Sequence, residues 1–141
     1  MNPNDPLASA SDCFDLNQIE ELRALGEPGE PDFFAELARL YLDSAPHLLD
    51  QLASDLDRAD SAAARTHAHA LKGMSGNLGA YQIQELARSL EDKAKRNLEP
   101  LRPEDLEALT QAHHRVAQVL RSFLADLSGP QPEPPPPATK S

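Results

Sequence analysis

Five stretches of this chain repeat apolar residues at intervals of three and four, and none alternates with the period of two that a strand requires. The first opens at Asp15, a residue type that caps helix N-termini, and sets Leu16, Ile19, Leu22 and Leu25 on one side before the run GEPGEP ends it. The second begins near Asp32 and carries Phe33, Leu37, Leu40, Tyr41, Leu48, Leu52 and Leu56. Pro46 falls inside that pattern, which predicts a kink near Ser44 rather than a break. The third starts near Asp60 and contains THAHALKGMSGNLGA, with Gly79 as its expected end. The fourth follows with Ile83, Leu86, Ala87, Leu90 and Ala94, and the fifth, after EPLRPED, with Leu106, Leu109, Val116, Leu120, Phe123 and Leu127.

Each stripe covers only part of a helix, so the stripes must face one another, and short connections make consecutive helices antiparallel. The expected fold is all-α: an antiparallel four-helix bundle with a short additional helix at its N-terminal end. The bundle spans residues 14–127, between a disordered lead-in at 1–13 and a disordered proline-rich tail, SGPQPEPPPPATKS, at 128–141. The tail cannot continue a helix and reads as extended spacer rather than as a ligand for a proline-binding module.

Composition narrows the function. The net charge of −10, from 23 acidic against 13 basic residues, argues against a nucleic-acid binder, because phosphate repulsion would oppose every approach. No apolar run approaches the roughly 20 residues that span a bilayer, and the N-terminus lacks the basic and apolar regions of a secretory signal. A single cysteine, Cys13, excludes an internal disulfide and a cysteine-based zinc site, and a cytoplasmic setting is expected.

The chemistry concentrates in the third helix. A glycine inside a helix costs about 1 kcal/mol relative to alanine, yet Gly73 and Gly76 follow His69 closely. At about 100° per residue, Lys72, Gly73 and Gly76 share the face of His69. Leu71, Met74, Leu78 and His67 fall on the other side as the expected core stripe, which makes His67 a histidine partly buried beside leucines. The two rings of His-x-His point about 160° apart and cannot chelate one metal. His113 reads as a packing or interfacial residue and His114 as solvated. Gly73 and Gly76 either clear the approach to His69 or pack closely against a neighbouring helix. Lys72 favours clearance, because an ammonium beside an exposed imidazole suits an arriving dianion. In a tight hairpin centred near residue 80, Glu91 stands level with His69. Its carboxylate either orients the imidazole through Nδ1 or makes a surface ion pair with Lys95 or Arg88. Ser75 lies to the side and is expected to be structural.

HALKGMSGNLGA, from His69 to Ala80, resembles the signature of histidine-containing phosphotransfer (HPt) domains of two-component phosphorelays. FDLNQIEELRAL and FFAELARLYLDSAPHLLDQL are similar to that family's first two helices, and the likeness covers about residues 14–127. Met74 departs from the small residue usual after Lys-Gly. The resemblance implies that His69 accepts a phosphoryl group on Nε2 from a receiver-domain aspartate or a kinase and passes it to a response-regulator receiver. It implies that Lys72 stabilises the group, Gly73 gives it room and Glu91 orients the ring. It also implies a receiver docking near Ala68, Gly76 and Tyr81, and a hybrid sensor histidine kinase upstream. No cofactor is expected in this chain, Mg²⁺ belonging to the receiver, and no nucleotide-binding motif supports autophosphorylation. A monomer is expected. The alternative is an adaptor that docks receivers without passing phosphate.

Overall fold

A computed structural model describes residues 7, 10–25, 32–96 and 101–128. Among the described residues five helices appear in chain order: α1 (Leu16–Arg23), α2 (Phe33–Asp57), α3 (Ser61–Leu78), α4 (Tyr81–Arg96) and α5 (Pro103–Ser128). Among the described residues there is no strand. Asp15 caps α1 by accepting from the backbone N–H groups of Asn17 and Gln18, and Asp32 caps α2 through Phe34 and Ala35. Helix α1 closes at Ala24, ahead of the GEPGEP run, which lies outside the described residues. Helix α2 continues through Pro46 without a break.

The short links 58–60 and 79–80 turn α2 into α3 and α3 into α4. Packing runs from α2 to α3, α3 to α4, α4 to α5 and back from α5 to α2, which closes a four-helix bundle, with α1 laid against α2. The all-helical bundle is thus the expected one. Its core, however, is lined differently along α2. Leu40 is 56% and Phe33 39% exposed, while Phe34, Ala35, Ala38, Ala45 and Leu49 are buried with Tyr41 and Leu52. The three alanines let α2 sit close to its neighbours, whereas ranking positions by apolar bulk favours the large residues on the flank. Leu25 and Leu127, at helix ends, are also exposed.

The lead-in differs as well. Of the lead-in expected to be disordered over 1–13, residues 1–6, 8 and 9 lie outside the described residues, while Leu7, Ala10 and Cys13 are buried in the core cluster. Turn hydrogen bonds link Ala10, Cys13 and Phe14 to the carbonyls before them, and Asp15 N–H donates to Gly79 O at 2.7 Å. The segment thereby caps the α3–α4 end of the bundle. The sparse apolar residues there, set among polar ones, give no helical period to read. Burial and the charge of Asp12 push the Cys13 thiol up to about 11, so it stays protonated and unreactive. Residues 129–141 of the expected tail lie outside the described residues.

One buried polar contact joins α2 to α5: the Tyr41 hydroxyl and His113 Nδ1 are 2.9 Å apart. Burial, reinforced by His114 and Arg121, holds the His113 pKa below its ordinary 6.5, so the folded chain keeps it neutral while the unfolded chain protonates it. His113 therefore contributes stability that is present above pH 6.5 and lost as pH falls. The loss in melting temperature between pH 7.5 and pH 5.5 should be smaller in His113→Gln than in the wild type; an equal loss would show that this contact is not the source.

Candidate functional site

Helix α3 ends where Gly79 takes the left-handed conformation, φ +76°, and its N–H caps the helix by bonding back to Gly76 O and Ser75 O. A side chain there would be strained and would also approach Asp15 O to 3.3 Å. The tightness of this reversal sets the register of α4 against α3 and so brings Glu91 level with His69. His69 Nδ1 lies 2.8 Å from Glu91 Oε2, and Lys72 Nζ lies 2.7 Å from Glu91 Oε1. Arg88 pairs instead with Glu85 on its own helix, at 3.1 Å.

The three side chains differ in exposure: His69 is 67% accessible, Lys72 27% and Glu91 13%. The carboxylate is sheltered, and the ring it holds stands in solvent. Lys72 above all, with His69, holds the Glu91 carboxyl below its ordinary 4.5 against the opposing effect of partial burial. Its stabilising contribution is present above that ordinary value and is lost only as pH falls through the depressed one. An ionised carboxylate can only accept, so Nδ1 of the neutral imidazole carries the proton. Nε2 then keeps its lone pair, and an exposed, oriented imidazole of this kind is equipped for nucleophilic attack.

The glycines divide. A Cβ on Gly73 would meet nothing within 4 Å, so this position is open beside the imidazole. Gly76 is not part of that clearance. A Cβ there would come within 2.6 Å of Gln84 Nε2 on α4, and its carbonyl accepts from Gln18 Nε2 on α1 at 2.7 Å. It is a packing glycine, half-buried beneath two neighbours. Ala68 also departs from expectation: it is fully buried and presents nothing to a partner. The buried face of α3 is Ala64, Ala68, Leu71, Ser75 and Leu78, rotated from the stripe expected through Met74 and His67 because small residues carry much of it. Ser75 is structural, its hydroxyl donating to Leu71 O at 2.7 Å. Tyr81 is exposed, but its hydroxyl donates to Ser11 O at 2.7 Å. At the start of α4 it stands ten residues, about 15 Å of helix, from the level of Glu91.

His67 is not simply packed among leucines. Its Nδ1 lies 2.5 Å from Oδ2 of the fully buried Asp55, whose other oxygen is 3.0 Å from Arg58. This second cluster ties the end of α2 to α3 and compensates a buried charge. Sequence reasoning overlooked Asp55, and it also overlooked Ala62, Arg65 and Thr66, which line a groove with His69 and Glu91. Arg65 lies four residues before His69 and so on its face, a spacing that does not by itself distinguish a groove residue from a solvated one. No group of three or more potential metal ligands occurs among the described residues, and no helix among them is long and apolar enough to cross a membrane.

The chain is similar to proteins of one family. Residues 36–121 match the family model of the Hpt domain. Histidine-containing phosphotransfer protein 5 of Arabidopsis thaliana is 33% identical over 79 residues, covering 54% of this chain and 50% of the relative. Histidine-containing phosphotransfer protein 2 of the same plant is 30% identical over 79 residues, with 54% and 51% covered. The chain thus spans about half the length of the curated relatives it matches. Among solved structures, the histidine-containing phosphotransfer protein ZmHP2 from maize superposes with a TM-score of 0.79 at 25% identity, over 89% of this chain and 94% of that one. MtHPt2 from Medicago truncatula has a TM-score of 0.74 at 22% identity, over 88% and 86%, and shares the fold.

Because Gly73 fills no packing need, Gly73→Ala should raise unfolding stability by up to about 1 kcal/mol, read by thermal or denaturant melting. A loss of stability instead would mean that the glycine serves the fold and not the space beside the ring.

Proposed function

This chain belongs to the Hpt domain family, and we propose that it is a phosphorelay intermediate in which His69 takes a phosphoryl group from one receiver domain and delivers it to another. The observation that carries this reading is the His69–Glu91–Lys72 constellation: an exposed imidazole whose Nδ1 is engaged by a sheltered, ionised carboxylate. In the forward step the Nε2 lone pair attacks phosphorus of the receiver's aspartyl phosphate. The N–P bond forms as the P–O bond to the aspartate breaks, and the carboxylate leaves with the electron pair. The ring becomes cationic, its Nδ1 proton held against Glu91, which stabilises that charge as a triad carboxylate does for its histidine. The return step reverses these bonds on a second receiver's aspartate, so no proton need be lost to solvent.

Lys72 supplies positive charge at the transferring group, and Gly73 leaves the approach open. A docking adaptor would need neither an oriented ring nor an ionised carboxylate behind it. In this reading Mg²⁺ sits with the receiver's acidic residues, the chain itself needing no cofactor, and a hybrid sensor kinase with its own receiver is the fitting donor. A cytoplasmic setting fits a relay whose upstream kinase draws on ATP. One chain contains the whole constellation, so a monomer suffices.

A purified phospho-receiver should transfer label to the wild-type chain and none to His69→Gln; equal labelling of the two would remove His69 from the mechanism. Glu91→Ala should fold normally and accept phosphate roughly ten- to a hundredfold more slowly, the range seen when the carboxylate behind a metal-bound histidine is removed. An unchanged rate in a rapid-quench assay would reduce the pair to a surface contact.

A further inference from the structure

Phosphorylation leaves the constellation short of positive charge. With the imidazole in the neutral form that attacks, His69, anionic Glu91 and cationic Lys72 sum to zero before transfer. Afterwards the ring has gained one positive charge, but the phosphoryl group carries about two negative ones. Lys72, the cation nearest to it in the motif, is already 2.7 Å from Glu91 and cannot serve the phosphoryl oxygens fully without loosening that pair. A chain of net charge −10 adds repulsion of its own.

The groove on the N-terminal side of the imidazole contains another cation. Arg65 lines it together with Ala62, Thr66, His69 and Glu91. It precedes His69 by one helical turn, a spacing that sets Cβ atoms about 5–6 Å apart on the same face. The side chain is exposed and has no carboxylate partner among the described residues, unlike Arg23, Arg58, Arg88, Lys72 and Lys93, each of which is ion-paired. Ala62, a further turn back, leaves the groove open, and the Thr66 hydroxyl is spent on Ala62 O at 3.2 Å. The one long, charged and uncommitted donor in this groove is therefore Arg65.

We propose that Arg65 is a second phosphoryl-binding residue, closing on the phosphoryl oxygens from the N-terminal side of His69 while Lys72 approaches from the other. The proposal rests on His69 as the phospho-acceptor. Arg65 makes and breaks no covalent bond. Its planar guanidinium offers two parallel N–H donors to two phosphoryl oxygens, a geometry that an ammonium cannot reproduce. It stabilises both the transferring group and the phosphohistidine, and it becomes ordered only when the phosphoryl group is present.

Phosphoramidate tests this without a receiver: its P–N bond breaks, ammonia leaves, and the phosphoryl group is joined to the histidine. The wild-type chain, Arg65→Gln, Arg65→Lys and His69→Gln are compared by labelling rate and by the pH titration of the phosphohistidine ³¹P resonance, with circular dichroism as a check of fold. Arg65→Gln should label about tenfold more slowly, the effect of one charge-assisted contact. Its phosphorus titration should move to higher pH, because the dianion has lost a cation. Arg65→Lys should fall between. The gap between wild type and Arg65→Gln should narrow at high salt, since the contact is exposed. Labelling of Arg65→Gln at the wild-type rate, or an unmoved phosphorus titration, overturns the role of Arg65 while leaving His69 in place. Failure of the wild type to label, or labelling of His69→Gln, overturns the acceptor assignment and this proposal together.

Discussion

The Glu91 carboxylate gives one oxygen to His69 and the other to Lys72, and the chemistry of the α3–α4 face depends on that shared ion. It must be ionised to fix the proton on Nδ1, and Lys72 keeps it so. It must also be held still, which its shelter between two packed helices achieves while the imidazole remains in solvent. A carboxylate as exposed as the ring would be screened and mobile, and would orient little. The fold supplies this asymmetry through the two-residue turn at 79–80, where Gly79 reverses the chain tightly enough to fix which residue of α4 faces His69.

The N-terminal segment supports that turn. Asp15 N–H and Gln18 Nε2 donate to the carbonyls of Gly79 and Gly76, and Leu7, Ala10 and Cys13 complete the core beneath them. At the opposite end of α3, Asp55, His67 and Arg58 tie α2 to it. The helix that carries His69 is thus anchored on both sides of its exposed turn. The open space at Gly73, with no neighbour to fill it, is left in an otherwise constrained element. Two histidines two residues apart consequently have different tasks: His67 compensates a buried charge within the fold, and His69 faces outward.

Much of this was legible in the sequence because it depends on period and count. Helical stripes imply the bundle, Asp15 and Asp32 mark helix starts, and counting outward from a minimal turn at residue 80 pairs His69 with Glu91. What escaped involves small or polar residues, whose side depends on neighbours and not on their own chemistry. Ala68 and Gly76 could have faced a partner or a helix, and the structure buries the first and sets the second against Gln84. Alanines at positions 35, 38 and 45 turned the buried face of α2 away from Phe33 and Leu40. Asp55 was hidden because a charged residue in a core is compensated by partners distant in the sequence. Arg65 was hidden because a solvated arginine and one beside a groove read alike until the groove is seen.

In the proposed relay Glu91 fixes the Nδ1–H tautomer of His69, so that phosphate lands on Nε2. Long-range ¹H–¹⁵N correlation spectra of ¹⁵N-histidine-labelled protein, recorded before and after phosphorylation, report both the protonated nitrogen and the phosphorylated one. A protonated Nδ1 is expected in the free protein and a phosphorus-coupled Nε2 afterwards. A free ring protonated on Nε2, or phosphate on Nδ1, would contradict it.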